Sequence, residues 1–231
     1  MKLILLIVFL ILSLVLPLLV AFEHKRRGMI MAMALGVLIY VLSTALTNFT
    51  AMAIGLESLD LAEDRRTYVV MVTLALTLVI GLFSLSKKIY GDKDKANLIY
   101  SGFSLVNTFL YNMNAYSFLI FVAIHNSAED LLSYYPQETV NELLIYYNGI
   151  TTSDILFLII EMICGFFIMK ALFCMICRSK VQITEYLVFM IGIFIFFYSQ
   201  YCVENKVLVF TIYIILLFAG YRNKISFKKD S

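Results

Sequence analysis

Long apolar runs constrain this chain more than any other feature. They extend for roughly 15 to 30 residues with few charges, and a run of about 18 or more is the signature of a helix that crosses a bilayer. Of the 231 residues, 62% are hydrophobic and only 15% are charged, against about a quarter charged in an ordinary soluble domain. The pattern predicts an all-α, polytopic membrane helix bundle, a single integral membrane domain over residues 1–231.

Seven apolar segments can be read: Lys2–Phe22, Met29–Leu56, Thr67–Ser86, Ala96–His125, Ser153–Cys177, Ile183–Gln200 and Val207–Tyr221. The last is the shortest, and at 1.5 Å per residue it rises only about 22 Å, less than a ~30 Å hydrocarbon core. Basic residues follow the odd-numbered segments: Lys25, Arg26 and Arg27; Lys87, Lys88, Lys93 and Lys95; Arg178 and Lys180; Arg222, Lys224, Lys228 and Lys229. Only Lys2, Arg65, Arg66 and Lys206 fall on the other side, and Lys170 falls within a segment. The positive-inside rule then places the N-terminus outside and the C-terminus in the cytoplasm of a cell-membrane protein. The first segment reads as a helix rather than a signal peptide, because its basic cluster follows the apolar run and no A-x-A-like site ends it.

The one sizeable polar connection is 126–152, expected to be external. Ser127 and Pro136 begin helix-start signals, and Asn148-Gly149 reads as a stop. Val140, Leu143, Leu144 and Tyr147 fall at i, i+3, i+4 and i+7, so a short amphipathic helix is expected to lie on the outer face or pack on the bundle.

Several chemistries are excluded. No H-E-x-x-H, nucleotide-binding P-loop or G-x-S-x-G elbow occurs. His24 and His125 sit at segment ends on opposite sides and cannot share a metal, so neither a metal nor a cofactor is expected. No basic face large enough for nucleic acid is present. Cys174-Met-Ile-Cys177 lacks both the βαβ context of a redox motif and the second pair of a zinc ribbon, and reads as small buried hydrophobes. No set of catalytic residues emerges.

What remains is an intramembrane polar set. Glu161 lies about eight residues into the fifth segment, at a depth where a carboxylate must face the bundle and be paired or protonated. The fourth segment carries Ser104, Asn107, Tyr111 and Asn114 along one helical face, with Thr108 and Asn112 beside it. Ser43, Thr44, Thr47 and Asn48 of the second segment offer a mate. Buried amides need partners. These groups are therefore either glue between helices or the lining of a solute pocket that includes Glu161. Asn107 and Asn114 read as deep and Asn97 as shallow, so leucine is expected to cost more at the first two.

The order of these features resembles the YhfC family of intramembrane proteases, relatives of the CAAX-prenyl endopeptidase and PrsW group. The similarity runs through Leu16-Pro17-Leu18, Ala34-Leu35-Gly36, Leu76-Thr77-Leu78-Val79-Ile80-Gly81-Leu82-Phe83, Tyr100-Ser101-Gly102-Phe103 and Leu158-Ile159-Ile160-Glu161. The resemblance implies the scaffold but not its chemistry. Ser84, Leu85 and Lys88 stand where the family has its glutamate pair and arginine, Met162 follows Glu161 in place of arginine, and Met169 replaces a histidine. Without a water-activating pair, the resemblance implies a catalytically degenerate protein that binds a membrane peptide or lipid. The alternative from the polar residues is a small transporter or permease component. The lipid bilayer is the partner common to both readings.

Overall fold

The computed structural model describes residues 1–25, 27–54, 65–85, 93–125, 127–176 and 183–226. Among these every regular element is helical. The helices are α1 (Lys2–Glu23), α2 (Met29–Ala53), α3 (Arg65–Leu85), α4 (Lys93–Asn107), α5 (Met113–Ile124), α6 (Ala128–Leu132), α7 (Gln137–Gly149), α8 (Thr152–Ile176), α9 (Ile183–Cys202) and α10 (Lys206–Ser226). A π-helical turn over Thr108–Asn112 joins α4 to α5.

Four helices, α1, α2, α3 and α8, are long and apolar enough to cross a membrane, or five with α4 and α5 counted as one bent span. The apolar parts of α9 and α10 are shorter, Tyr186–Cys202 and Lys206–Phe218. Of the residues singled out in the sequence, Arg26, Leu56, Ser86, Lys87, Lys88, Cys177, Arg178, Lys180, Lys228 and Lys229 lie outside what is described, as do the side chains of Ser84, Leu85, Lys93, Asn114, Arg222 and Lys224.

The helices close into a ring. α2 packs on α3, α3 on α9, α9 on α8, α8 on α1, α1 on α4, and α4 back on α2; α10 lies against α8 and α9. The tightest junction is α2 with α4. A Cβ on Gly36 would run into the carbonyl oxygen of Ile99 and come within 2.7 Å of the Phe103 nitrogen. A Cβ on Gly102 would meet the backbone carbonyl of Met33. The two glycines thus let backbone touch backbone, the usual device where helices in lipid must gain attraction from packing rather than from hydrophobic exclusion.

Below the ring's centre the core is aromatic. Tyr100 packs on Phe166 and Phe173 at ring-centroid distances of 5.1 and 5.3 Å, and Phe103 on Phe173 at 5.2 Å. The Tyr100 hydroxyl donates to the Phe166 carbonyl at 2.8 Å, fastening α4 to α8.

The bend between α4 and α5, 42°, departs from the unbroken fourth helix that a 3.6-residue period predicts. The π turn that precedes the break is tied to α1. Pro17 sits inside that helix and has no N–H, so the Ser13 carbonyl four residues earlier loses its partner. Thr108, the first residue of the π turn, donates its hydroxyl to that carbonyl at 2.9 Å. A freed carbonyl in an apolar helix must be satisfied internally, and the π turn is where α4 supplies the donor.

α6 and α7 form a cap at the end of α5. The Asp130 amide donates to Ser127 Oγ at 3.1 Å, an N-cap. The apolar stripe of α7 packs inward, with Val140 buried against Val122 and Leu131, and Leu143, Leu144 and Tyr147 beside them. Lys2 donates to the Tyr147 carbonyl at 3.2 Å, which ties the start of α1 to the end of α7.

Candidate intramembrane cavity

Within the ring lies a half-open cavity of about 430 Å³. It is lined by Phe9 and Ser13 of α1; by Tyr40, Ser43, Thr44, Thr47 and Asn48 of α2; by Tyr68 of α3; and by Ser104, Asn107, Thr108, Tyr111 and Asn112 around the π turn. Tyr116, Glu161, Met169, Gln200 and Tyr201 complete its polar and adaptable walls. Five of the six sequence-predicted site residues therefore meet in one place: Asn48, Ser104, Asn107, Asn112 and Glu161. The side chain of the sixth, Asn114, is outside the described residues.

The lining positions occupy the C-terminal part of α2, the N-terminal part of α3, the C-terminal end of α4, the middle of α8 and the last turns of α9. The cavity thus belongs to one end of the bundle. The Gly36–Gly102 crossing and the Tyr100–Phe166–Phe173 packing lie towards the other end and form its floor.

Hydroxyls and amides behave differently. Ser43 donates to the Ile39 carbonyl at 2.7 Å and Thr47 to the Ser43 carbonyl at 2.9 Å, so these hydroxyls are satisfied within α2. Asn48, Asn107 and Asn112 make no hydrogen bond among the described residues, although all three line the cavity. Amides that bridged helices would be paired to a neighbour. Asn48 is exposed and Asn107 and Asn112 are half-buried, and their lack of a helix partner favours a hydrated or solute-binding chamber over glue between helices.

Glu161 is the only ionisable acid among the lining residues, and no Lys, Arg or His lines the cavity. Its carboxylate accepts a 2.9 Å hydrogen bond from the Tyr213 hydroxyl of α10. Tyr213 is held by stacking on Phe196 at 5.6 Å. No sequence signal marks this partner, which looks like any tyrosine in an apolar run.

Tyrosines from several helices also surround the chamber. Tyr40, Tyr68, Tyr100, Tyr111, Tyr116 and Tyr201 come from different helices or turns and converge on it. Of these, the sequence pattern marks only Tyr111, on the polar face of the fourth segment.

Asn97 corrects another expectation. Expected to be shallow, it is 1% exposed. Its amide nitrogen donates to His24 Nε2 at 2.9 Å, and its carbonyl oxygen accepts from the Cys174 thiol at 3.2 Å. His24 Nδ1 in turn donates to Asp94 at 2.7 Å. Cys174 is thus a hydrogen-bonding member of a junction between α1, α4 and α8, not merely a small hydrophobe. Among the described residues no three His, Cys, Asp or Glu side chains converge as a metal site. Compared with known proteins, the chain matches no family model, no curated protein and no solved structure.

Proposed function

We propose that this chain is a multi-pass cell-membrane protein that admits a small polar solute into its central cavity, as a transporter or permease component. The observation that carries this reading is the convergence of Asn48, Asn107 and Asn112 with Glu161 on one chamber whose amides face space rather than neighbouring helices. A volume near 430 Å³ falls within the usual ~300–1,000 Å³ of small-molecule sites.

The reading takes α1, α2, α3, the α4–α5 pair, α8, α9 and α10 as seven spans, with the N-terminus outside and the basic loops in the cytoplasm. In that orientation the cavity end of the bundle faces outward, and the α6–α7 cap lies on the outer surface beside it. Reporter fusions at Lys93 and after Lys229 are expected to read cytoplasmic, and one near Pro136 external. A cytoplasmic signal at Pro136 would invert the assignment.

The accessory role suggested by the YhfC resemblance draws on the same chamber. Glu161 and Met169, two positions that the resemblance marks, both line it. On that reading the occupant is a membrane peptide or lipid rather than a hydrated solute.

Hydroxyl-radical footprinting of the chain in nanodiscs separates the two, because the radicals arise from water. Tyr111, Tyr116 and Tyr201 are expected to be oxidised along with the exposed Tyr134 and Tyr146 of the α6–α7 region. Oxidation confined to Tyr134 and Tyr146 would mean a chamber closed to water, and would refute the solute reading.

A further inference from the structure

We propose that the chamber's ligand is a small organic cation, a quaternary or protonated amine, recognised by tyrosine faces with Glu161 as its counter-charge; this rests on the reading of the chamber as a solute site.

Charge argues first. With Glu161 as the one ionisable acid and no basic side chain in the lining, an anion entering the chamber would find no opposite charge. A cation finds one. In a surround of low dielectric that difference is large, because pairing must offset the loss of the ligand's hydration.

The aromatic walls argue second. Tyr68 and Tyr201 stand edge to face, with ring centroids 5.4 Å apart and planes at 80°, so they form two walls meeting at a corner. Tyr111 sits beside Tyr68, and Tyr201 is within electrostatic reach of both Tyr111 and Glu161. Perpendicular aromatic rings beside a carboxylate are the arrangement that attracts ammonium groups through the ring quadrupole.

Size and donor set argue third. The chamber is far larger than a bare metal ion needs, and among the described residues no cluster of three metal-ligating side chains adjoins it. The free amides of Asn107 and Asn112 suit a hydroxyl or N–H elsewhere on an organic ligand. An interfacial belt does not account for these tyrosines. Belt rings look outward to headgroups, as the exposed Tyr134 and Tyr146 can, whereas Tyr68 and Tyr201 are half-buried and line the chamber.

The test uses the full chain in nanodiscs with radiolabelled choline as probe. Competitors are tetraethylammonium, the neutral choline isostere 3,3-dimethylbutanol, and the anion 3,3-dimethylbutyrate. Tyrosine emission of the chain in detergent gives a second readout, since the chain has no Trp to mask it. Saturable choline binding is expected. Tetraethylammonium should compete, and the neutral isostere should compete at least about tenfold more weakly. Glu161→Gln keeps an acceptor for Tyr213 but removes the charge, and should weaken choline about tenfold or more, as should Tyr68→Leu; Tyr68→Phe keeps the ring and should stay within about threefold. Elution as a single folded species and an unchanged radical footprint show that each variant is intact.

Equal competition by the neutral isostere or the anion overturns the cation assignment while leaving a solute chamber. So does the absence of saturable binding for both ammonium probes in a chain whose Tyr111 and Tyr201 are oxidised by water-borne radicals. Failure of that oxidation removes the chamber reading itself, and the cation assignment with it.

Discussion

Gly102→Val is expected to abolish the folded protein, and Gly36→Val to do the same. At each glycine the space that a Cβ would take is already held by the backbone of the facing helix: Ile99 and Phe103 against Gly36, Met33 against Gly102. Overpacking a core by a methylene costs typically 1–3 kcal/mol because side chains can shift aside. Backbone in a helix cannot do so without moving the helix, so even alanine at either site should cost about 3 kcal/mol or more. The floor of the cavity would open with it, since the same crossing holds α2 and α4 together beneath Ser43 and Ser104. The comparison is Gly149→Ala at the end of α7, where a Cβ would meet nothing within 4 Å and the change should stay within about 0.5 kcal/mol. Yield of monodisperse protein and the thermal midpoint by circular dichroism report both. An unchanged midpoint for Gly102→Ala would show that α2 and α4 do not cross as described.

These two glycines also show what a sequence of this kind reveals. Gly36 and Gly102 stand out in the primary structure, but nothing in it pairs them, because a helix that is apolar on most faces carries little information about which face meets which neighbour. Polar residues in an apolar segment do carry that information. That is why Asn48, Ser104, Asn107, Asn112 and Glu161 could be assembled into one candidate site before their geometry was known, and why they share a chamber in the fold. The π turn was not legible. A steady period reads straight through Thr108–Asn112, and the turn is linked to a proline on another helix, through the Ser13 carbonyl that Pro17 leaves free for Thr108. The other chamber tyrosines were not legible for a related reason. An aromatic side chain suits a membrane interface and an inner wall equally well, and only the ring of helices decides between them.

Depth along a helix is a poor guide to burial, and Asn97 and Asn107 make the point measurable. Counting from the basic loop, Asn97 is shallow and Asn107 deep, so leucine should hurt more at Asn107. The structure reverses the order. Asn97 is enclosed between α1, α4 and α8, where it bonds at once to His24 Nε2 and the Cys174 thiol. Leucine there would leave a ring nitrogen and a thiol without this partner, and would loosen the imidazole that Asp94 holds from its other side. Each unsatisfied buried group costs about 1–3 kcal/mol, so a loss of roughly 2–4 kcal/mol is expected for Asn97→Leu. Asn107 makes no hydrogen bond among the described residues and opens on the cavity. Its replacement by leucine removes hydration rather than a bond, and should change stability by less than about 1 kcal/mol. Cys174→Ala, which takes away the weak thiol donor alone, should fall between them. Unfolding of the three variants by a denaturing detergent, followed by circular dichroism, ranks them. A larger loss for Asn107→Leu than for Asn97→Leu would mean that the amides of α4 are glue after all, and that the chamber they line is closed in the membrane.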